Sequence, residues 1–200
     1  MNMRLRFAAA LALSALAPLA LAGCQQAAPR APLTGSSLGG PFTLVDESGR
    51  TVTQKDYAGR YRTMYFGYSF CPDVCPTDLQ KLMAGYHAFA AKYPQRAAKL
   101  VPIFVTIDPA RDTPAVLKQY TAAFGPELVG LTGTPTEVKA AAKAYGAFYQ
   151  KVPAPNGAEG YLMDHSRQTI LYGPDGQPIT LIPTDESGSS VEQAFEQWVR

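Results

Sequence analysis

Two cysteines stand with three residues between them in Phe70-Cys71-Pro72-Asp73-Val74-Cys75-Pro76-Thr77. A cysteine does its chemistry as the thiolate, the form that attacks disulfides and the form that binds soft metals. The preceding run, 63–68, is aromatic and apolar and reads as a buried strand. The following run, 76–91, places Leu79, Leu82, Met83, Tyr86 and Phe89 at helical spacing. Cys71 is therefore expected in the loop after a strand and Cys75 at the entrance of a helix. Unsatisfied N–H groups and partial positive charge at a helix start stabilise a thiolate and lower its pKa. Pro76 fits the first turn, where its missing N–H would have no partner. Three uses of the pair compete. A structural disulfide would close one short loop and constrain the unfolded chain little. A thiol–disulfide redox pair is the second use, and a soft-metal site, which needs a third ligand, is the third.

The sequence holds 2 histidines. His87 falls on the long helix beside Tyr86 and Phe89 and reads as a surface or packing residue. His165 lies in Tyr161-Leu162-Met163-Asp164-His165-Ser166, between two late strands. A lone histidine is more often structural than a ligand, but a mixed sheet with the cysteine pair after its first central strand brings this connection to the same sheet end. Met64 and Met163 offer soft sulfur, yet both fall in strand-like apolar runs and read as core. Asp108 ends a strong strand and is a candidate outer partner of the site. Asp112 with Arg111 is expected to organise that loop, and Asp73 to tune the charge between the cysteines. Asp164 neighbours His165, but successive strand residues face opposite ways, so it is not expected to orient the imidazole.

The elements that must position these residues follow from pattern. Runs 42–45 and 51–53 read as a hairpin around Glu47-Ser48-Gly49. The apolar run 100–107 reads as a central strand. Thr113-Pro114 opens a helix to 124, with Thr as N-cap and Pro at the first position. A short strand at 128–131 precedes Thr134-Pro135-Thr136-Glu137, which has capping-box spacing and opens a helix to 145. Runs 148–152 and 161–164 flank a Pro/Gly-rich loop, 169–172 and 179–182 flank the turn Gly173-Pro174-Asp175-Gly176, and 189–199 closes as a helix. The order implies an α/β fold with a central mixed β-sheet flanked by helices, an N-terminal hairpin and a late β-hairpin. A cysteine pair between the first central strand and first long helix is the thioredoxin-like arrangement, with three intervening residues in place of two.

Three motifs, Phe70 to Thr77, Asp108-Pro109-Ala110-Arg111-Asp112-Thr113-Pro114, and Asp164-His165-Ser166, together resemble the Sco/SenC family of copper chaperones, over residues 41–200. The resemblance implies that Cys71, Cys75 and His165 bind copper. It implies delivery to the copper-accepting subunit of cytochrome c oxidase, for assembly of the binuclear copper centre. Other periplasmic copper chaperones and thiol reductases are further implied partners. The chemistry agrees: soft sulfur selects Cu(I), and imidazole accepts Cu(I) and Cu(II). A structural zinc site would want a fourth protein ligand. The reading is a binding and transfer protein rather than an enzyme. The rival is a thiol-disulfide oxidoreductase that uses Cys71 and Cys75 to reduce the cysteines of the copper-accepting partner.

The chain is 200 residues long, enough for one domain, and its 46% hydrophobic and 17% charged content is that of a globular protein. Residues 1–23 read as a lipoprotein signal peptide, with Arg4 and Arg6 before a small apolar run. Leu21-Ala22-Gly23-Cys24 resembles a bacterial lipobox, which makes Cys24 the lipidated N-terminus of the mature chain. Many relatives use a transmembrane helix instead. Residues 24–40, rich in Ala, Pro, Ser and Gly, are expected to be a flexible tether, and 41–200 the copper-binding domain. The expected location is extracytoplasmic, on the periplasmic side, with the membrane engaged through the lipid. Without Arg4 and Arg6 the chain carries 16 basic and 16 acidic side chains, so it is close to neutral. No basic patch with interleaved aromatics is present, and nucleic acid is not an expected partner.

Overall fold

The computed structural model describes residues 30–155 and 159–200; Cys24 and the export segment lie outside them. β1 (Thr43–Asp46) and β2 (Thr51–Thr53) form the N-terminal hairpin. A 3-10 turn at Gln54–Tyr57, closed by a Thr53/Asp56 capping box, leads to β3 (Tyr61–Gly67). Helix α1 (Val74–Lys92), the short α2 (Pro94–Ala97) and β4 (Leu100–Thr106) follow. Then come α3 (Pro114–Ala122), β5 (Val129–Thr132) and α4 (Pro135–Ala144). The chain closes with β6 (Tyr149–Pro153), β7 (Tyr161–His165), β8 (Thr169–Tyr172), β9 (Pro178–Ile182) and α5 (Gly188–Trp198).

Seven strands make one sheet in the order β2-β1-β5-β4-β3-β8-β9. β4 runs parallel to β3 and β5, while β8 and β9 are antiparallel. The unit β3-α1-β4, followed by β8-β9-α5, is the thioredoxin-like arrangement expected from the placement of the cysteines. All of β4 and all of β3 but its first residue are buried, which requires cover on both sheet faces. That is why both read as unbroken apolar runs rather than alternating ones. On α1 the expected stripe of Leu79, Leu82, Met83, Tyr86 and Phe89 is buried, and Phe89 packs against Phe195 of α5 with ring centroids 5.8 Å apart. The caps at Thr113 and Thr134 form as the sequence implied, Thr134 with its full capping box.

One feature adds to the sequence reading and one differs from it. The hairpin β6–β7 stands apart as its own two-stranded sheet, outside the central one. The end of the tether region is also bound to the domain. Leu33 N–H donates to the Ile179 carbonyl at 3.0 Å and Gly39 N–H to the Ala144 carbonyl at 2.8 Å, while Leu33 and Leu38 pack on the core. The folded unit therefore begins near Leu33, upstream of Pro41, because these two leucines bury apolar surface that the surrounding Ala, Pro, Ser and Gly do not offer.

Candidate metal centre

β3 delivers the chain to the site and α1 takes it away. Gly67 ends β3, and a Cβ there would lie 2.9 Å from the Cys75 sulfur, 3.0 Å from Phe104 and 3.0 Å from Tyr65. The strand must end in glycine for the Cys75 side chain to sit where it does. Cys75 is fully buried in the first turn of α1, and Cys71 is half-buried in the preceding loop. The N-cap residue Asp73 makes no side-chain cap. In its place the Cys71 sulfur faces the helix start, 3.5 Å from the Cys75 N–H.

His165 arrives from the other direction, at the end of β7, where it pairs with Tyr149 of β6. Its Nε2 lies 3.1 Å from the Cys75 sulfur. Its Nδ1 lies 2.9 Å from the Ser166 carbonyl, which can only accept, so Nδ1 carries a proton and Nε2 is the ring nitrogen that faces the sulfurs. Tyr65 and Tyr68 meet the imidazole edge-on, with centroids 6.3 and 6.0 Å away, and fix its plane. The ligand atoms of Cys71, Cys75 and His165 all lie within 4.8 Å of one another.

The two thiols are electrostatically unlike. A hydrogen bond from Cys75 holds the Cys71 pKa down to about 3, against the opposing effect of burial, with help from His165 and the Asp73 and Cys75 N–H groups. The same hydrogen bond to Cys71, together with burial, pushes Cys75 up. The pair therefore shares one proton, with the charge on the more exposed sulfur. That is a ready nucleophile beside a ligand that must shed its proton to bind a metal.

The remaining residues from the sequence reading take other posts. Asp108 is buried just beyond β4 but does not join the three ligands; it accepts from Tyr161 Oη at 2.9 Å and pairs with the Arg111 guanidinium. Arg111 in turn lies over the rings of Tyr161, Phe70 and Tyr68, so Asp108 acts on the loop beside Cys71 through this stack. Asp112 accepts from Ser69 N–H at 3.0 Å and from the hydroxyls of Ser69 and Thr106, tying the Cys71 loop to β4. Asp164 reaches Gln150, away from the imidazole. Met64 and Met163 are buried, and His87 is a surface residue 3.1 Å from Glu127.

Two residues that bear on the site escaped the sequence reading. Asp78, fully buried one turn beyond Cys75, accepts from Arg167 Nε at 3.0 Å and Nη2 at 2.7 Å, and from Tyr65 Oη at 3.2 Å. Arg167 is two residues beyond His165. This bidentate pair joins the helix bearing Cys75 to the connection bearing His165. A carboxylate on the core side of α1, between Thr77 and Leu79, was the available signal.

Residues 30–200 match SCO1/SenC. This chain belongs to the SCO1/SenC family. Mitochondrial SCO1 of Saccharomyces cerevisiae is 45% identical to it over 141 residues, which cover 70% of this chain and 47% of the yeast protein. SenC of Rhodobacter capsulatus is 45% identical over 144 residues, 70% of this chain and 62% of SenC. The chain thus spans between about half and three fifths of these curated relatives. Among solved structures, copper-bound ScoI of Bradyrhizobium japonicum superposes with a TM-score of 0.71 at 35% identity, covering 80% of this chain and 99% of that one. Within this SCO1/SenC chain the three family motifs from the sequence converge on one end of the central sheet, at the C-terminal ends of β3 and β4.

Proposed function

We propose that this chain binds one copper ion through Cys71, Cys75 and His165 and passes it on during assembly of the binuclear copper centre of cytochrome c oxidase. The observation that carries the reading is the convergence of two sulfurs and an imidazole nitrogen within 4.8 Å, on two separate stretches of chain. Two thiolates and an imidazole satisfy Cu(I) and Cu(II). Cys71 is half-buried and can reach an incoming ligand, whereas Cys75 is sealed. Release then begins at Cys71, by exchange with a thiolate of the acceptor. The acceptor follows from the family resemblance rather than the geometry. Lipidation at Cys24 would hold the domain at the periplasmic face of a membrane, a reading supported by the lipobox. Among the described residues no helix is long and apolar enough to cross a membrane.

Copper titration with metal analysis tests the site. The reduced chain takes up one copper, and the Cys71–Cys75 disulfide form takes up little, because oxidation removes both thiolates. Equal uptake by both forms would refute the assignment. A second reading, thiol reduction of the partner, is favoured by the lowered pKa of Cys71. His165→Ala separates the two. For copper delivery it weakens Cu(II) strongly, Cu(I) less, and fails to restore oxidase activity in a strain lacking the wild-type protein. Full restoration by His165→Ala, with Cys71→Ser inactive, would install the reductase reading instead.

A further inference from the structure

Arg62, the second residue of β3, is 3% exposed and forms no salt bridge among the described residues. Its Nη2 donates to Tyr145 Oη at 3.5 Å, its guanidinium lies 5.2 Å from the centre of the Tyr172 ring, and its Nε has no partner. The two arginines beside the metal centre are treated differently: Arg111 and Arg167 each meet a buried carboxylate. A guanidinium keeps its charge at any ordinary pH, and a buried charge without a counter-charge is strongly unfavourable. Two tyrosines supply dipoles and a ring face but no negative charge.

The counter-charge has a place to sit. Arg62 lines a cavity of about 410 Å³ at the N-terminal end of β3, the opposite end from Cys71 and Cys75. The other walls are residues 36–41, Gln54 and the β8–β9 turn. They carry donors that have no partner among the described residues. Gln54 Oε1 is occupied by the Phe42 N–H at 3.0 Å, and its amide nitrogen makes no hydrogen bond among the described residues. The N–H groups of Ser37 and Gly40 likewise make none there. Gly176 turns at φ +82°, a conformation that glycine adopts without strain, and its Cβ position lies 3.5 Å from Arg62 Nη2, in ordinary contact. The single carboxylate of the lining, Asp175, is exposed at the rim and accepts from Gln177 N–H at 3.0 Å.

We propose that this cavity binds a phosphate group, with Arg62 as its charge partner and Gln54, Ser37 and Gly40 as further donors. Donors from two segments around one fixed positive charge suit a tetrahedral oxyanion. The phosphate can be free or the head group of a lipid, since residues 36–41 lead back toward Cys24. This site is independent of the copper reading.

The test is calorimetric titration of the full chain in detergent with inorganic phosphate and with glycerol 3-phosphate, at constant ionic strength, with chloride as control. The Arg62 Nε–H resonance of labelled protein is followed in parallel. The expected result is one saturable site per chain and a shifted Nε–H. Equal affinity for both probes marks free phosphate, and preference for glycerol 3-phosphate marks a head group. Arg62→Met weakens binding about tenfold to a hundredfold, the value of a hydrogen-bonded charge. Asp175→Asn, a surface change that leaves the core intact, tightens binding by removing the like charge at the mouth. No saturable heat and no Nε–H shift with either probe overturns the proposal. So does an Asp175→Asn chain that is folded and binds no tighter than wild type.

Discussion

The Asp78–Arg167 pair makes an asymmetric prediction. Arg167→Met leaves a fully buried carboxylate with Tyr65 Oη, 3.2 Å away, as its remaining side-chain partner. Stranding a buried charge in this way costs about 3–5 kcal/mol. Asp78→Asn strands no buried charge, because the Arg167 side chain is 44% exposed and can turn to water. The asparagine oxygen still accepts from Tyr65, so the loss is one charge-assisted contact, about 1–2 kcal/mol. The double change Asp78→Leu/Arg167→Met removes both charges and is expected near wild type, as for other buried pairs replaced by apolar groups. Urea unfolding of the four proteins, metal-free and reduced, gives the numbers. The metal centre provides a second readout. If the pair sets the spacing of Cys75 and His165, both single variants lose Cu(II) affinity by about 10–100-fold, the usual effect of losing an outer partner. Comparable costs for the two single changes, or an Arg167→Met cost below about 1 kcal/mol, would show that Asp78 is solvated and that the clamp does not exist.

Two further outcomes follow from the same geometry. With its pKa held at about 3, far below the ordinary thiol value, Cys71 is thiolate at every pH above that, so its alkylation by iodoacetamide stays level from pH 7 to pH 5 and fails only on approach to the folded-state value. An ordinary thiol slows about tenfold per pH unit over that range, and such slowing in this chain would refute the shared-proton picture; Cys75→Ala removes the donor and restores part of the slope. Gly67→Ala brings a methyl to 2.9 Å from the Cys75 sulfur and is expected to destabilise by about 1–3 kcal/mol. It should also abolish stoichiometric copper uptake, which metal analysis of the folded variant checks.

The strands were legible where burial on both faces left continuous apolar runs, as in β3 and β4, and the helices where Thr and Pro marked their starts. The cysteine pair was legible because its spacing sits between a strand and a helix. His165 was legible as a ligand only with the family motifs, since it follows Cys75 by 90 positions and carries no local signal. Asp78 and Arg167 were not legible, because each is locally an ordinary helix or loop residue and the pairing spans 89 positions. Asp108 was placed at the right end of the sheet, but its partners, Tyr161 and Arg111, depend on how β7 returns over the loop. The tether was read from composition, which hides that Leu33 and Leu38 are anchors.

The separate β6–β7 hairpin has a kinetic consequence. Its two strands are paired only to each other, and an isolated two-stranded ribbon is marginal in water. Amide protons along 149–153 and 161–165 should therefore exchange through local opening, at lower cost than those of β3 and β4. An ion held by His165 and both cysteines would join that ribbon to the central sheet, so metal occupancy should be readable as slowed exchange in the hairpin while the rates in the sheet interior stay the same.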